Sequence, residues 1–309
     1  NMEYKIICLI IFIIVILIIL KRKDENWDNL QHDSYIDNFN FFDLKFRGCK
    51  DKQACVKKYI DKVISFTPEE EIIIVKIIEN FNKLIKNKYR FIFTEINFIK
   101  VDNEIESSMP HTRGSNIIFS KNWVSNMISN YKKNPNDTLI PKLIAHEQFH
   151  IYQRNNPLIM ADLYKNYWDM VEYKKKLPNK ILKINRTNPD ALPNINWLFR
   201  IDETTLGLPL CVYTKNSTSL RDTQNIYIRL NDNLDFINLD EDLSNRNLLS
   251  NLDSFRDYFG NEGANNYHAN ELASSLFEII IEEEISGNSV EQSPALFKLK
   301  EFLNKIENS

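Results

Sequence analysis

The sequence predicts an α+β fold behind a single apolar N-terminal helix, and three observations carry that expectation. Ile6 to Leu20 reads IICLIIFIIVILIIL without one polar side chain. Helical and strand-like periodicities alternate from Thr67 to Arg154. Short β-prone runs between Pro and Asn clusters then occupy Ile181 to Leu230, and helical patterning fills the last part of the chain. A doubly wound sheet would go on alternating, so this late segregation favours α+β. Of 309 residues, 43% are hydrophobic and 26% charged, a globular composition able to build a core in one or two domains. The 39 basic and 42 acidic side chains leave a net charge of -3, which argues against electrostatically driven nucleic-acid binding. Only six Gly are present, and neither G-x-G-x-x-G nor G-x-x-x-x-G-K-[ST] occurs, so nucleotide-dependent chemistry is not expected.

The apolar run comes first. Its fifteen positions reach ~22 Å as a helix, short of a ~30 Å hydrocarbon core. Met2 and Tyr4 extend it, and Lys5 and Lys21 can snorkel to the interfaces, which suits a single-pass anchor through residues 6–20. Lys21, Arg22 and Lys23 follow directly where a cleaved signal peptide wants small residues, so the anchor is expected to be retained, with its C-terminal bulk on the cytosolic side. The expected organisation is an anchor at 1–23, a juxtamembrane tether or pro-segment at 24–66, and a catalytic domain at 67–309. The Ile-, Asn- and Lys-rich composition suits an AT-rich genome and with it a viral or parasite membrane. Cys49 and Cys55 are close enough to pair, and two free thiols remain the alternative. As a free thiol, either could block a metal site from the pro-segment.

Further along, Thr67-Pro68-Glu69-Glu70 opens an amphipathic helix to about Lys88, with Thr67 as N-cap and Glu70 completing a capping box. Arg90 to Val101 alternates like a strand, and the turn Met109 to Gly114 leads into a second strand, Asn116 to Phe119. A helix is expected around Trp123 to Lys132. Asp137, Thr138 and Pro141 then start another from Leu139 to Arg154.

That last helix carries His146-Glu147-Gln148-Phe149-His150, an H-E-x-x-H pattern with uncharged flanks in a chain holding only five His. Residues four apart share a helix face, so both imidazoles can reach one Zn2+. Glu147 stands beside them as the general base. A third ligand is required. The metzincin position six residues after His150 holds Asn156, which excludes that class, while the gluzincin spacing reaches Asp169, with Glu172 nearby. His268 and Glu271 lie on the first turn of a later helix, and Glu271 is preferred.

A wider set of residues resembles a largely uncharacterised group of HExxH, gluzincin-like zincin metallopeptidase-like proteins. It comprises Thr112-Arg113-Gly114 before a strand, Leu143-Ile144-Ala145-His146-Glu147-Gln148-Phe149-His150, Arg154-Asn155-Asn156-Pro157, Leu163-Tyr164 and Thr187-Asn188-Pro189-Asp190-Ala191. The group's later H-P-x-E block corresponds to His268-Ala269-Asn270-Glu271, which ranks Glu271 above Asp169. Ala269 stands where the group has Pro, and Ser274 and Ser275 follow Ala273 where Asp is usual. The resemblance spans about residues 90 to 285. It implies an α+β zincin-like metallopeptidase domain built on an active-site helix, with no substrate attached.

The expected function is a membrane-anchored zinc metallopeptidase acting on a peptide or protein substrate. Its alternative is a non-enzymatic membrane- or particle-associated structural protein that keeps a zincin fold. His146, His150 and Glu271 hold Zn2+, Glu147 moves the proton, and His268 or a tyrosine, Tyr267 or Tyr213, stabilises the oxyanion. Asn188 and Asp190 order a turn or support a ligand. His111 belongs to the loop before the strand along which zincins commonly extend their substrate, or is a plain loop residue. The run Glu282 to Glu284 reads as a solvated face.

Overall fold

Capping side chains set the first boundaries. The computed structural model describes residues 35–309 except 86–87, 94, 192–195, 240–246, 261–266, 291–292 and 309. Capping boxes open α1 (Phe41–Phe46) at Asn40 and α3 (Pro68–Leu84) at Thr67, and Asp51 caps α2 (Lys52–Asp61) between them. Ser120 caps α4 (Lys121–Lys133). At α5 (Leu139–Asn155) the Thr138 side chain caps nothing, and Asp137 Oδ1 instead accepts the Leu139 N–H at 3.0 Å. The remaining helices are α6 (Pro157–Asp162), α7 (Asn179–Leu182), α8 (Asp253–Phe259), α9 (Ala269–Ser286) and α10 (Pro294–Glu307).

Strands β1 (Val63–Ile64), β2 (Asn97–Val101), β3 (His111–Arg113) and β4 (Asn116–Ser120) form a sheet in the order β1-β2-β4-β3. Only β2 and β4 run parallel. Gly114, at φ +57°, makes the tight β3–β4 turn, a conformation that costs glycine little. The second sheet joins β5 (Val171–Tyr173), β6 (Asn196–Asp202), β7 (Thr205–Tyr213), β8 (Thr223–Asn231) and β9 (Asn247–Leu248) in sequence order, antiparallel throughout. β7 outruns β6, and Ile184–Arg186 takes the vacated edge: Arg186 N–H donates to Cys211 O, and Tyr213 N–H to Ile184 O, each at 2.8 Å.

The main core gathers α3, α5, α9 and α10 against the first sheet. Helix α5 is buried at every position from Ile144 to Gln153, so every polar group it carries needs a partner or a function. α9 packs along it, with Phe149 stacked on Phe277 at 4.7 Å between ring centres. The expected strand from Arg90 is realised only as β2. Residues 90–92 instead belong to a turn, and Tyr89 and Phe93 on either side of them both pack on Phe277.

Other expectations are corrected. The fold class is mixed α/β, and the α+β fold with an N-terminal transmembrane helix does not stand. Among the described residues no helix is long and apolar enough to cross a membrane. The longest, α9 with 18 residues, carries Glu271, Glu278, Glu282, Glu283 and Glu284. The single-pass membrane localisation is withdrawn with it, and the Ile6–Leu20 segment lies outside the described residues. From Tyr35 onward, the segment expected to be a tether is folded into the molecule, where Tyr35, Phe39 and Tyr59 form a core with Ile105 and Ile118. Cys49 and Cys55 are joined in a disulfide, so neither is a thiol that could block a metal site.

Candidate metal centre

His146 and His150 project from one face of α5 toward the first turn of α9. Their Nε2 atoms lie 3.0 Å apart, and Glu271 Oε2 stands 3.6 Å from each. Ligand atoms arranged tetrahedrally at ~2.0–2.1 Å from one ion are ~3.4 Å apart, so the triangle has the dimensions of a metal site. These three residues are buried, and their donor atoms form a group that could hold a metal ion. Asp169 and Glu172 are not part of it. Asp169 reaches Arg200 at 3.4 Å on the surface and Glu172 reaches Lys174 at 3.1 Å.

The imidazoles are held from behind. His150 Nδ1 faces Gln153 Oε1 at 2.8 Å and Ser274 Oγ at 3.2 Å. Gln153 Nε2 donates to Asn270 O at 2.9 Å, which fixes the amide so that its oxygen must accept from His150. The Nδ1 proton is thereby committed and Nε2 keeps its lone pair for a ligand. His146 Nδ1 lies 2.5 Å from Glu278 Oε1, a contact that is close but off the line of a good hydrogen bond. We read it as an ion-pair contact, because that separation admits nothing in between. Burial disfavours an imidazolium at His146, yet Glu271 and Glu278 outweigh it and hold its pKa well above the ordinary value. Burial likewise disfavours a charged Glu271, but His150 and His146 hold its carboxyl well below the usual range.

Glu147 is buried in the same place, and its Oε2 has no hydrogen-bond partner. Burial first, and then the negative charge of Asp190, raises its pKa well above that of an ordinary carboxylate. An orphaned buried carboxylate oxygen is costly unless something else uses it. Glu147 and the candidate ligands His146 and Glu271 line one cavity of about 240 Å³, together with Arg47, Arg186 and Tyr267.

The loop Thr187–Asp190 lines this cavity and ties the scattered motifs together. Asn188 Nδ2 donates to Glu271 Oε1 and to the Tyr267 hydroxyl, both at short range. Asp190 Oδ1 accepts the Thr112 N–H at 2.9 Å and its hydroxyl at 2.5 Å. Arg154 donates to Thr112 Oγ1 and Gly114 O, each at 2.7 Å, and to Pro189 O at 3.2 Å. Tyr164 donates to Asn270 Oδ1 at 2.9 Å, and Asn270 Nδ2 to Asp190 O at 3.1 Å. The T-R-G, R-x-N-P, L-Y and T-N-P-D segments therefore meet around the start of α9 and set the direction of Glu271.

The other sequence candidates take separate places. His268 is the N-cap of α9, its Nδ1 accepting the Asn270 N–H at 3.1 Å, and it is not among the cavity walls. Tyr213 donates to Asp43 Oδ1 at 2.9 Å, away from the cavity. His111 does line it. Its Nδ1 faces Met109 O at 3.1 Å, leaving a buried Nε2 without a partner, and burial lowers its pKa despite the pull of Glu106 and Asp190. Lys142 reaches Glu282 at 2.7 Å and Lys300 pairs with Glu283.

Sequence reasoning missed Glu278, although seven residues from Glu271 is two helical turns on the same face. It also missed the clamp behind the cavity. There the buried Arg47 pairs with Asp43 at 2.8 Å and Glu106 at 2.9 Å, and donates to Tyr35 OH at 2.7 Å and Thr187 O at 3.0 Å. Glu106 begins three successive left-handed residues, at φ +45°, +50° and +62°, a costly backbone kept where its carboxylate meets Arg47. No local pattern announces this clamp. Comparison with family models, with curated proteins and with solved structures finds no match to this chain.

Proposed function

We propose that the chain is a zinc-dependent peptidase. The observation that carries this reading is the buried His146–His150–Glu271 triangle with the unpartnered Glu147 oxygen in the same cavity. Two imidazoles and one carboxylate are the donor set of catalytic zinc sites, which leave a fourth position open. A zinc ion held there supplies Lewis acidity toward a water and toward the substrate carbonyl.

The remaining work belongs to the side chains. Glu147 takes a proton from the attacking water and returns it to the leaving nitrogen as the C–N bond breaks. Gln153 and Glu278 hold the two imidazoles, and Asn188 holds Glu271. Tyr267 OH already accepts hydrogen bonds from Arg186 NH2 at 2.7 Å and from Asn188 Nδ2, which fills its lone pairs and leaves its proton to donate into the cavity. That proton serves the developing oxyanion.

The test is hydrolysis of a mixed peptide library by the full zinc-loaded chain and by Glu147→Gln. The variant is expected to keep its zinc and lose about 10²–10⁴-fold in rate. Undiminished hydrolysis in Glu147→Gln, or none in the wild type at one zinc per chain, overturns the reading.

A further inference from the structure

The cavity holds two arginines in different states. Arg47 is saturated by Asp43 and Glu106. Arg186 is half-buried on the cavity wall, fixed in place by the pairing of its backbone with Cys211 on β7. Its NH2 donates to Tyr267 OH at 2.7 Å and its guanidinium lies over the Tyr267 ring at 5.3 Å. Among the described residues no carboxylate stands within ion-pair distance of it. The site thus presents one cation whose remaining donors are uncommitted, in the fork geometry that matches a carboxylate.

Its position relative to the reacting centre is bounded by hydrogen bonds. Arg186, Tyr267 OH, Asn188 Nδ2 and Glu271 Oε1 form a chain of three contacts, so Arg186 lies at most ~9 Å from the Glu271 carboxylate. An extended chain advances ~3.3–3.6 Å per residue. A carboxylate at Arg186 therefore sits one or two residues beyond a bond presented to His146, His150 and Glu271.

Two further observations favour a chain end over a chain running through. β3 is the edge strand on which an extended substrate would add, but its Thr112 N–H already donates to Asp190 Oδ1, and Arg154 binds the Gly114 carbonyl beside it. The cavity, at about 240 Å³, is also smaller than the ~300–1,000 Å³ of ordinary ligand clefts. We propose that the site acts at the C-terminus of peptides, with Arg186 binding the free α-carboxylate and one or two residues released per cut. Water adds across the bond: its OH goes to the carbonyl carbon, and its hydrogen goes to the nitrogen of the departing amino acid or dipeptide. The proposal rests on the peptidase reading for the bond that is cut, whereas the carboxylate contact stands without it.

The experiment measures binding to the zinc-stripped full chain by calorimetry, so that neither a metal nor turnover contributes. The probes are N-acetyl-phenylalanine, its amide, and N-acetyl-glutamate amidated at the α-carboxyl. The free acid is expected to bind about 10-fold or more tightly than the amide. That preference is expected to vanish in Arg186→Gln and to survive in part in Arg186→Lys, which guards against a loss caused by misfolding. Equal binding of acid and amide, no binding of either, or a preference that survives Arg186→Gln overturns the proposal. Binding of the glutamate probe as tight as that of the free acid moves the contact to acidic side chains and overturns the chain-end assignment. Equal binding of acid and amide by the wild-type chain, beside its hydrolysis of end-blocked peptides once zinc-loaded, leaves the peptidase reading standing and removes this one.

Discussion

The cavity has two unlike sides. One is built from helices: α5 and α9 present His146, Glu147, Glu271 and Glu278 to it, with His150 one turn on from His146, from backbones buried in the main core. The other is built from loops. Arg47, Glu106, Arg186 and the Thr187–Asp190 segment come from distant parts of the chain and are held by polar contacts to one another. The difference teaches that the helical half, which carries the candidate metal ligands, is specified by local periodicity, whereas the loop half is specified by long-range charge and hydrogen-bond satisfaction.

Breaking the helical side is expected to have the largest effect. His150→Ala removes a ligand and strands Gln153, so bound zinc, measured by atomic absorption, is expected to fall from about one per chain to near zero, and turnover with it. Zinc retained at full stoichiometry would mean that α5 does not supply the site.

Breaking the loop side is expected to cost stability before chemistry. Arg47→Met leaves Asp43 and Glu106 charged and buried, a loss of about 3–5 kcal/mol in chemical denaturation. Glu106 also gives the region a pH signature. Burial opposes its charge, but Arg47, followed by His111 and the Tyr59 hydroxyl, lowers its pKa to about 2; Tyr35 OH donates to it as well. The unfolded chain takes up the proton first. The stability this group contributes is therefore full above the ordinary pKa of about 4.5 and is lost as pH falls through about 2. Denaturation midpoints measured from pH 5 to pH 2 are expected to fall less steeply in Glu106→Gln. Parallel curves would contradict a charged Glu106 in the folded state.

Changing the residues that hold the ligands sharpens the comparison. Glu278→Gln on the helical side and Asn188→Ala on the loop side are each expected to weaken zinc affinity about 10–100-fold in competitive titration, without unfolding. An effect from Glu278 alone would place all metal control on the helices. The smallest effect is expected at His268. As the N-cap of α9 it is worth about 1 kcal/mol, so His268→Ala should lower the melting temperature slightly while His268→Asn restores it. A large fall in kcat at unchanged stability would return His268 to the chemistry.

The same division decides what was legible in the sequence. His146, Glu147 and His150 declare themselves by an i, i+4 spacing in an apolar helix. Glu271 follows from a His and a Glu on one helical turn, and Glu278 was readable two turns further on. Arg186 has no such signature, because it reaches the cavity through a backbone pairing with Cys211, and the Arg47–Glu106 pair spans 59 positions. The run from Arg90 reads as a strand, but residues 90–92 lie in a turn and Phe93 packs on Phe277 beside Tyr89, a case of tertiary packing overriding periodicity. Apolarity proposed a membrane helix at Ile6–Leu20, which lies outside the described residues; among those residues no helix is long and apolar enough to cross a membrane.

The most direct test of the account is X-ray absorption at the zinc edge on the full zinc-loaded chain. The account predicts a first shell of nitrogen and oxygen at ~2.0–2.1 Å containing two imidazoles, one of them lost in His146→Ala and both kept in Glu147→Gln. A sulfur shell, or a spectrum unchanged by His146→Ala, would contradict it.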